Sequence, residues 1–344
     1  MILSPRGNLE LRRKHSKPVV ARIMNQYAFQ TISACPFCPK TGLSNITVIG
    51  TCDRYGFPVR LAMCNRTGII FLLDRLALED YNEFYKQGHY REVLDVFWDR
   101  QPLKKTGEEQ LSTNAIKKAK ETVNALHGLV KFPNQARMLD IGGSTGEVSI
   151  AFKDAFGVLP TVLDPAEQEL DIARQQGLDT RLGSFETVEF APDEKYDIVL
   201  LHQTIEHIYN LQNTMERIRG ILEPGGLFIF DFLDFIDELD ASGSVEAVSR
   251  LDHCHWIYLE MLEVFLSFVG FRALSTIRSR ANFFLVVCES IETNPDVCIE
   301  DEIRLRLIRG FASRQVQFLS RPKIESFSIT ERFKQRLGIK VSPF

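Results

Sequence analysis

The run Leu-Asp-Ile-Gly-Gly-Ser-Thr-Gly-Glu-Val-Ser at 139–149 constrains this chain more than any other segment. Residues 136–141 are mostly apolar and suit a buried parallel strand, while Gly142, Gly143 and Gly146 free the backbone for a tight turn. A helical pattern resumes at Glu147. Strand, glycine turn and helix in that order place a ligand at the carboxyl edge of a parallel sheet, facing the N–H groups of the helix start.

Spacing narrows the ligand. Dinucleotide binders carry G-x-G-x-x-G, and here the third glycine of that pattern falls on Glu147, whose charge would repel a pyrophosphate. This weighs against an NAD-dependent sugar-modifying enzyme. A second acid, Asp164 in Thr-Val-Leu-Asp-Pro, closes the next apolar strand at the distance where such sites put a carboxylate on ribose hydroxyls. Asp140 and Asp164 without a basic partner suit a cationic ligand.

With D-x-G-x-x-x-G after the first strand and an acid ending the second, the chain resembles the class I S-adenosylmethionine-dependent methyltransferases. The resemblance runs over 136–289: Gly183-Ser184-Phe185-Glu186 at the third strand end, 196–201 as a fourth strand, and Leu222-Glu223-Pro224-Gly225-Gly226 before a fifth at 227–232. Ser144 and Ser184 depart from it, standing where many members carry glycine and aspartate. The resemblance implies a Rossmann-like α/β fold, a seven-stranded sheet with helices on both faces. It also implies S-adenosylmethionine as cofactor. Asp140 and the backbone of Gly142, Gly143, Ser144 and Gly146 would hold the methionine part, Asp164 the ribose, Ser184 and Phe185 the adenine, and His202 would border the methyl group.

At 344 residues and 44% apolar content the chain is long enough for two packed domains. A net charge of −4 gives no basic field for nucleic acid. No run reaches a membrane span and no secretory core opens the chain, so a cytoplasmic protein is expected. Seven scattered cysteines argue for reduced thiols over a disulfide framework. The oligomeric state is left open.

Five segments are expected: a tail (1–33), a small cysteine-bearing β module (34–75), a helical linker (76–112), the methyltransferase domain (113–290) and a C-terminal helical extension (291–344). In the module, Cys35-Pro36-Phe37-Cys38 is a C-x-x-C knuckle and Cys64 starts a second pair that Thr67 spoils. Cys52 is a substitute ligand, so zinc on Cys35, Cys38, Cys64 and Cys52 competes with a degenerate ribbon held by its strands alone. The module also resembles the N-terminal region of methyltransferases from sugar and cell-surface polysaccharide clusters, which implies a sugar acceptor. Residues 80–100 are expected to pass along the mouth of the cofactor site, and the acidic stretch 231–240 with its Ser-Gly-Ser turn to form a lid. Residues 256–269 read as one apolar helix stopped by Gly270, and 283–288 as the last strand. The C-terminal extension reads as an oligomer contact or a cap over the core.

Methyl transfer to a hydroxyl needs a base near the methyl group. His202-Gln203-Thr204-Ile205-Glu206-His207 puts two histidines at the carboxyl edge, with Glu206 available to orient an imidazole. A second cluster, Asp252-His253-Cys254-His255, offers His253 and His255. His202, His207 and His253 are thus the candidate bases of an enzyme that methylates a hydroxyl, or alternatively a carbon, of a small molecule such as a sugar or nucleotide-sugar. A catalytically weakened S-adenosylmethionine-binding protein with a regulatory or scaffolding role is the alternative.

Overall fold

The computed structural model describes residues 5–37, 42–99, 113–294 and 296–320. Its main sheet has strands β1 (Arg137–Ile141), β2 (Leu159–Asp164), β3 (Asp179–Leu182), β4 (Tyr196–Leu201), β5 (Leu222–Leu233), β6 (Phe271–Arg280) and β7 (Phe283–Ser290). They stand in the order β6-β7-β5-β4-β1-β2-β3. β1 to β5 pair in parallel, and β7 runs antiparallel between β5 and β6. Chain order reverses between β1 and β4, and that switch opens a crevice at the carboxyl ends of the strands.

Strand alternation gives the sheet two cores. Met138, Ile198 and Leu200 face Ala119, Val123, Val148 and Phe152 from the helices Thr113–Leu126 and Glu147–Phe156. Leu139, Ile141, Val199 and Leu201 face the opposite side, with Met215, Ile218 and Phe265. This is the fold expected from the glycine turn and the strand order.

The cysteine-bearing segment is built into the second of these cores. Its strands Ile46–Gly50, Leu61–Cys64 and Ile70–Leu72 form an antiparallel sheet whose fourth member is His255–Trp256, from far downstream. That sheet therefore crosses the expected 34–75 and 113–290 boundaries. The first helix, Pro5–Gln26, is anchored too, with Val20 and Ile23 buried, so the expected tail is a packed element. In the C-terminal extension the helix Asp301–Ser320 packs Phe311 against Phe235, ring centroids 5.9 Å apart. No helix among the described residues is long and apolar enough to cross a membrane.

Two expectations are corrected. The apolar run 256–269 is extended at Trp256, turns at Leu259–Met261 and is helical only over Leu262–Val269. Trp256, Ile257 and Tyr258 are all fully buried, so their apolar character follows from enclosure rather than from one helix face. The acidic stretch is no lid, because its first acids serve the interior. Asp231 is buried against Arg280 at 3.1 Å, and Asp234 accepts the Ile236 and Asp237 N–H groups to cap the helix Phe235–Ser242, whose Phe235 and Leu239 are fully buried.

Candidate active site

β1 ends in a turn that no larger side chains would fit. Gly142 has φ +71°, and a Cβ on it would stand 2.7 Å from Thr204 Cγ2. On Gly143 a Cβ would meet Asp140 Oδ2 at 2.5 Å, and on Gly146, φ +85°, Leu178 Cδ1 at 2.4 Å. Ser144 takes φ +53°, the left-handed region where a glycine would be unstrained. The turn leads into the helix Glu147–Phe156, which begins directly after Gly146.

Asp140 lies buried beneath this turn. Its Oδ2 accepts the Ser149 hydroxyl at 2.7 Å, and its Oδ1 has no partner. Burial raises its pKa to about 7, with the Ser149 hydrogen bond opposing and Asp164 adding to the rise. A carboxyl whose folded pKa exceeds its unfolded value, about 3.9, keeps a proton the unfolded chain releases. Stability therefore falls as pH rises from about 4 toward 7. Asp140→Asn removes this contribution: in urea titrations the variant gains on the wild type between pH 5 and pH 8. An unchanged difference at the two pH values would contradict the assignment.

The turn opens onto a cavity of about 560 Å³. Gly142, Ser144, Asp164, Ser184 and Phe185 line one side, Gln203, Thr204 and His207 another. Asp164 accepts the Ser144 N–H on Oδ2 at 3.0 Å and the Ala166 N–H on Oδ1 at 2.8 Å. Burial raises its pKa to about 6 against those two bonds. Ser184 donates to Glu186 Oε2 at 2.9 Å. The remaining wall comes from upstream: Tyr81 and Tyr85 of the helix Leu78–Lys86, and Tyr90 and Arg91 of the helix His89–Trp98. Tyr85 and Tyr90 stack at 4.7 Å, and Arg91 pairs with Glu169, which also accepts the Ser144 hydroxyl.

Four histidines differ sharply in setting. His207 lines the cavity, with Nδ1 2.9 Å from the Asp252 carbonyl and 2.7 Å from Tyr85 Oη. A carbonyl only accepts, so Nδ1 carries the hydrogen and Nε2 keeps the lone pair. Burial lowers the His207 pKa, with Asp252 opposing. His253 is buried behind it, ring edge to ring face at 4.6 Å. His255 sits in the small sheet and donates from Nε2 to the Ile205 carbonyl at 2.7 Å, and burial drives its pKa down to about 3. His202 turns away from the cavity toward Thr122 Oγ1, 3.0 Å, and Asp231, 3.7 Å.

Residues 109–276 match the model of a family described as a methyltransferase domain. The chain carries a class I S-adenosylmethionine-dependent methyltransferase domain. It is similar to the ubiquinone biosynthesis O-methyltransferases of Bradyrhizobium sp. (strain ORS 278), 28% identical over 42% of this chain and 60% of that one, and of Rhodopseudomonas palustris (strain BisB18), 29% identical over 37% and 49%. These matches span roughly half to three fifths of the relatives' own lengths. Among solved structures, the CcbJ methyltransferase from Streptomyces caelestis is 16% identical with a TM-score of 0.41, covering 51% of this chain and 90% of that one.

In this methyltransferase domain the structure brings Gly142, Ser144, Asp164, Ser184, Phe185 and His207 to one cavity. Gly143, Gly146 and Asp140 shape the turn from beneath it. His202 and His253 do not line the cavity, and Glu206 orients no imidazole: its Oε1 accepts the buried Leu233 N–H at 2.7 Å. Burial raises the Glu206 pKa to about 7. In the cysteine-bearing segment Cys35 Sγ accepts the Phe37 N–H at 3.4 Å and Cys52 donates to the Asp53 carbonyl at 3.4 Å. Cys35, Cys52 and Cys64 form no three-ligand group among the described residues, and Cys38 lies outside them. Sequence reasoning missed Glu169, Gln203 and Thr204. Glu169 had a usable signal, since it stands on the first turn of the helix after Asp164, at the sheet's carboxyl edge.

Proposed function

We propose that the protein transfers the methyl group of S-adenosylmethionine to a hydroxyl oxygen of a small molecule. One observation carries this reading: the glycine turn, Asp164 and His207 share a single cavity. The cavity is acidic, with Glu79, Glu83, Asp164, Glu169 and Glu186 on its wall against Lys86 and Arg91, which suits a ligand bearing sulfonium and ammonium charges. The names of the curated relatives favour oxygen as the acceptor atom. A sugar or nucleotide-sugar is a narrower reading supported by the cysteine-bearing segment alone.

On this reading the turn backbone over Asp140 holds the methionine part, and Asp164 holds the ribose through the second lone pair of each carboxylate oxygen. Ser184 and Phe185 receive the adenine. S-adenosylmethionine supplies an electrophilic methyl, which the acceptor oxygen takes in line as the carbon–sulfur bond breaks. His207 Nε2 accepts the hydroxyl proton, and Tyr85 with the Asp252 carbonyl holds the ring so that Nε2 stays free. His202 supports β4 and β5 rather than touching the methyl group.

Calorimetry with S-adenosylhomocysteine tests the cofactor half. Asp164→Ala weakens binding by about 1–3 kcal/mol, the worth of hydrogen bonds to a charged group. A wild-type protein that leaves S-adenosylhomocysteine unbound at millimolar concentration would overturn the proposal.

A further inference from the structure

We infer that Asp53 and Arg54, in the cysteine-bearing segment, are positioning residues for His207: they fix the turn Arg250–His253, whose carbonyl at Asp252 holds the imidazole; this rests on the reading of His207 as the base. The turn closes where the His253 N–H donates to the Arg250 carbonyl at 3.2 Å. That bond leaves the Leu251 N–H and the Asp252 C=O, both on the central residues, to find partners elsewhere. Asp53 takes the first, its Oδ2 accepting the Leu251 N–H at 2.9 Å. The second meets the base: the Asp252 carbonyl accepts from His207 Nδ1 at 2.9 Å and from the Tyr81 and Tyr85 hydroxyls at 3.1 Å each. One short turn thus has Asp53 on one side and the imidazole on the other.

Asp53 is itself held fast. It is fully buried, and its Oδ1 accepts the Tyr55, Gly56 and Phe57 N–H groups, each at 2.9 Å. Arg54 braces the approach to the turn: its N–H donates to the Ser249 carbonyl at 2.9 Å, and its Nε and Nη2 donate to the Ala247 carbonyl at 2.9 and 2.6 Å. Past the turn, the Leu72 N–H donates to the Cys254 carbonyl at 3.0 Å, and His255 and Trp256 pair with Phe71 and Ile70. The cysteine-bearing segment therefore grips this stretch before, at and after the turn. An imidazole exchanges its hydrogen between its two nitrogens unless a fixed acceptor holds it on one. A carbonyl pinned from behind supplies that acceptor, which keeps the hydrogen on Nδ1 and the Nε2 lone pair in register with the acceptor hydroxyl.

The test is nitrogen NMR of the full chain labelled at histidine, with and without S-adenosylhomocysteine, the His207 ring signals being assigned by their loss in His207→Gln. Asp53→Asn is the informative change. Its amide oxygen can take over the three N–H bonds of the Oδ1 side, and its NH2 group then meets the Leu251 N–H, donor against donor. The wild type is expected to show the His207 hydrogen on Nδ1 alone, and Asp53→Asn and Arg54→Gln each to lose that single form and add one with the hydrogen on Nε2. Met63→Ala serves as the control for lost packing, because Met63 is buried in the same small sheet and pairs with Thr47 and Ile70. It is expected to lower the melting temperature and leave the His207 signals as in the wild type. Should Asp53→Asn fail to fold, Arg54→Gln decides by itself. His207 signals unchanged in the folded variants, or displaced equally by Met63→Ala, would overturn the inference. A wild type that leaves S-adenosylhomocysteine unbound while its His207 signals still respond to Asp53→Asn overturns the methyltransferase reading alone.

Discussion

Replacing His207 by glutamine lowers kcat by about 10²–10⁴-fold, the usual worth of a positioned general base, and leaves affinity for S-adenosylhomocysteine unchanged. Glutamine keeps a donor for the Asp252 carbonyl and the Tyr85 hydroxyl but offers no basic nitrogen to the cavity. The pH profile gives a second reading of the same residue. Burial lowers the His207 pKa below its ordinary 6.5, so the ring is neutral and competent at neutral pH. Wild-type kcat therefore climbs on the acid side, with a midpoint below 6.5, and is flat above it; the variant lacks that limb. A variant with full kcat, or one that keeps the acid limb, would move the base elsewhere.

Trp256→Ala is expected to destabilise the protein by about 3–5 kcal/mol, the range for deleting a large buried aromatic. Trp256 is fully enclosed, packs at 6.1 Å from Phe235, and its indole N–H has no acceptor, so its contribution is packing rather than hydrogen bonding. Because the His255–Trp256 strand completes the cysteine-bearing sheet, that sheet and the methyltransferase sheet unfold in one transition. Urea unfolding followed by fluorescence and by circular dichroism checks both points. A loss under about 1 kcal/mol, or two separated transitions, would show the segment to be an independent module.

The glycine turn, the acid ending β2 and the order of β4 and β5 were legible because each is fixed locally, by backbone conformation or by an apolar run of strand length. The passage of residues 80–100 along the cavity was legible in outline, and Tyr81, Tyr85, Tyr90 and Arg91 supply the wall there. Side-chain direction was not. His202 and His207 share one short segment, yet one turns toward Thr122 and the other into the cavity, since a strand end and the turn after it give no readable period. The acids of 231–240 read as a lid, but Asp231 and Asp234 are taken up by the Gln203 and Leu259 N–H groups and by Arg280, all distant in sequence. Gln203 adopts φ +53° without any glycine to announce it. Long-range demand of this kind leaves no mark on the local pattern.

The clamp on the His207 ring reaches past orientation. With Nδ1 closed against a carbonyl and the half-buried Tyr85, Nε2 is the nitrogen left to take a proton, so on the proposed reading a proton received there has no rear exit through the ring. It leaves by the way it entered. On the proposed reading the methylated product blocks that way, and the catalyst is rearmed only after the product departs and water refills the cavity. On that reading turnover is ordered in time by two contacts on the side of the ring that no substrate touches.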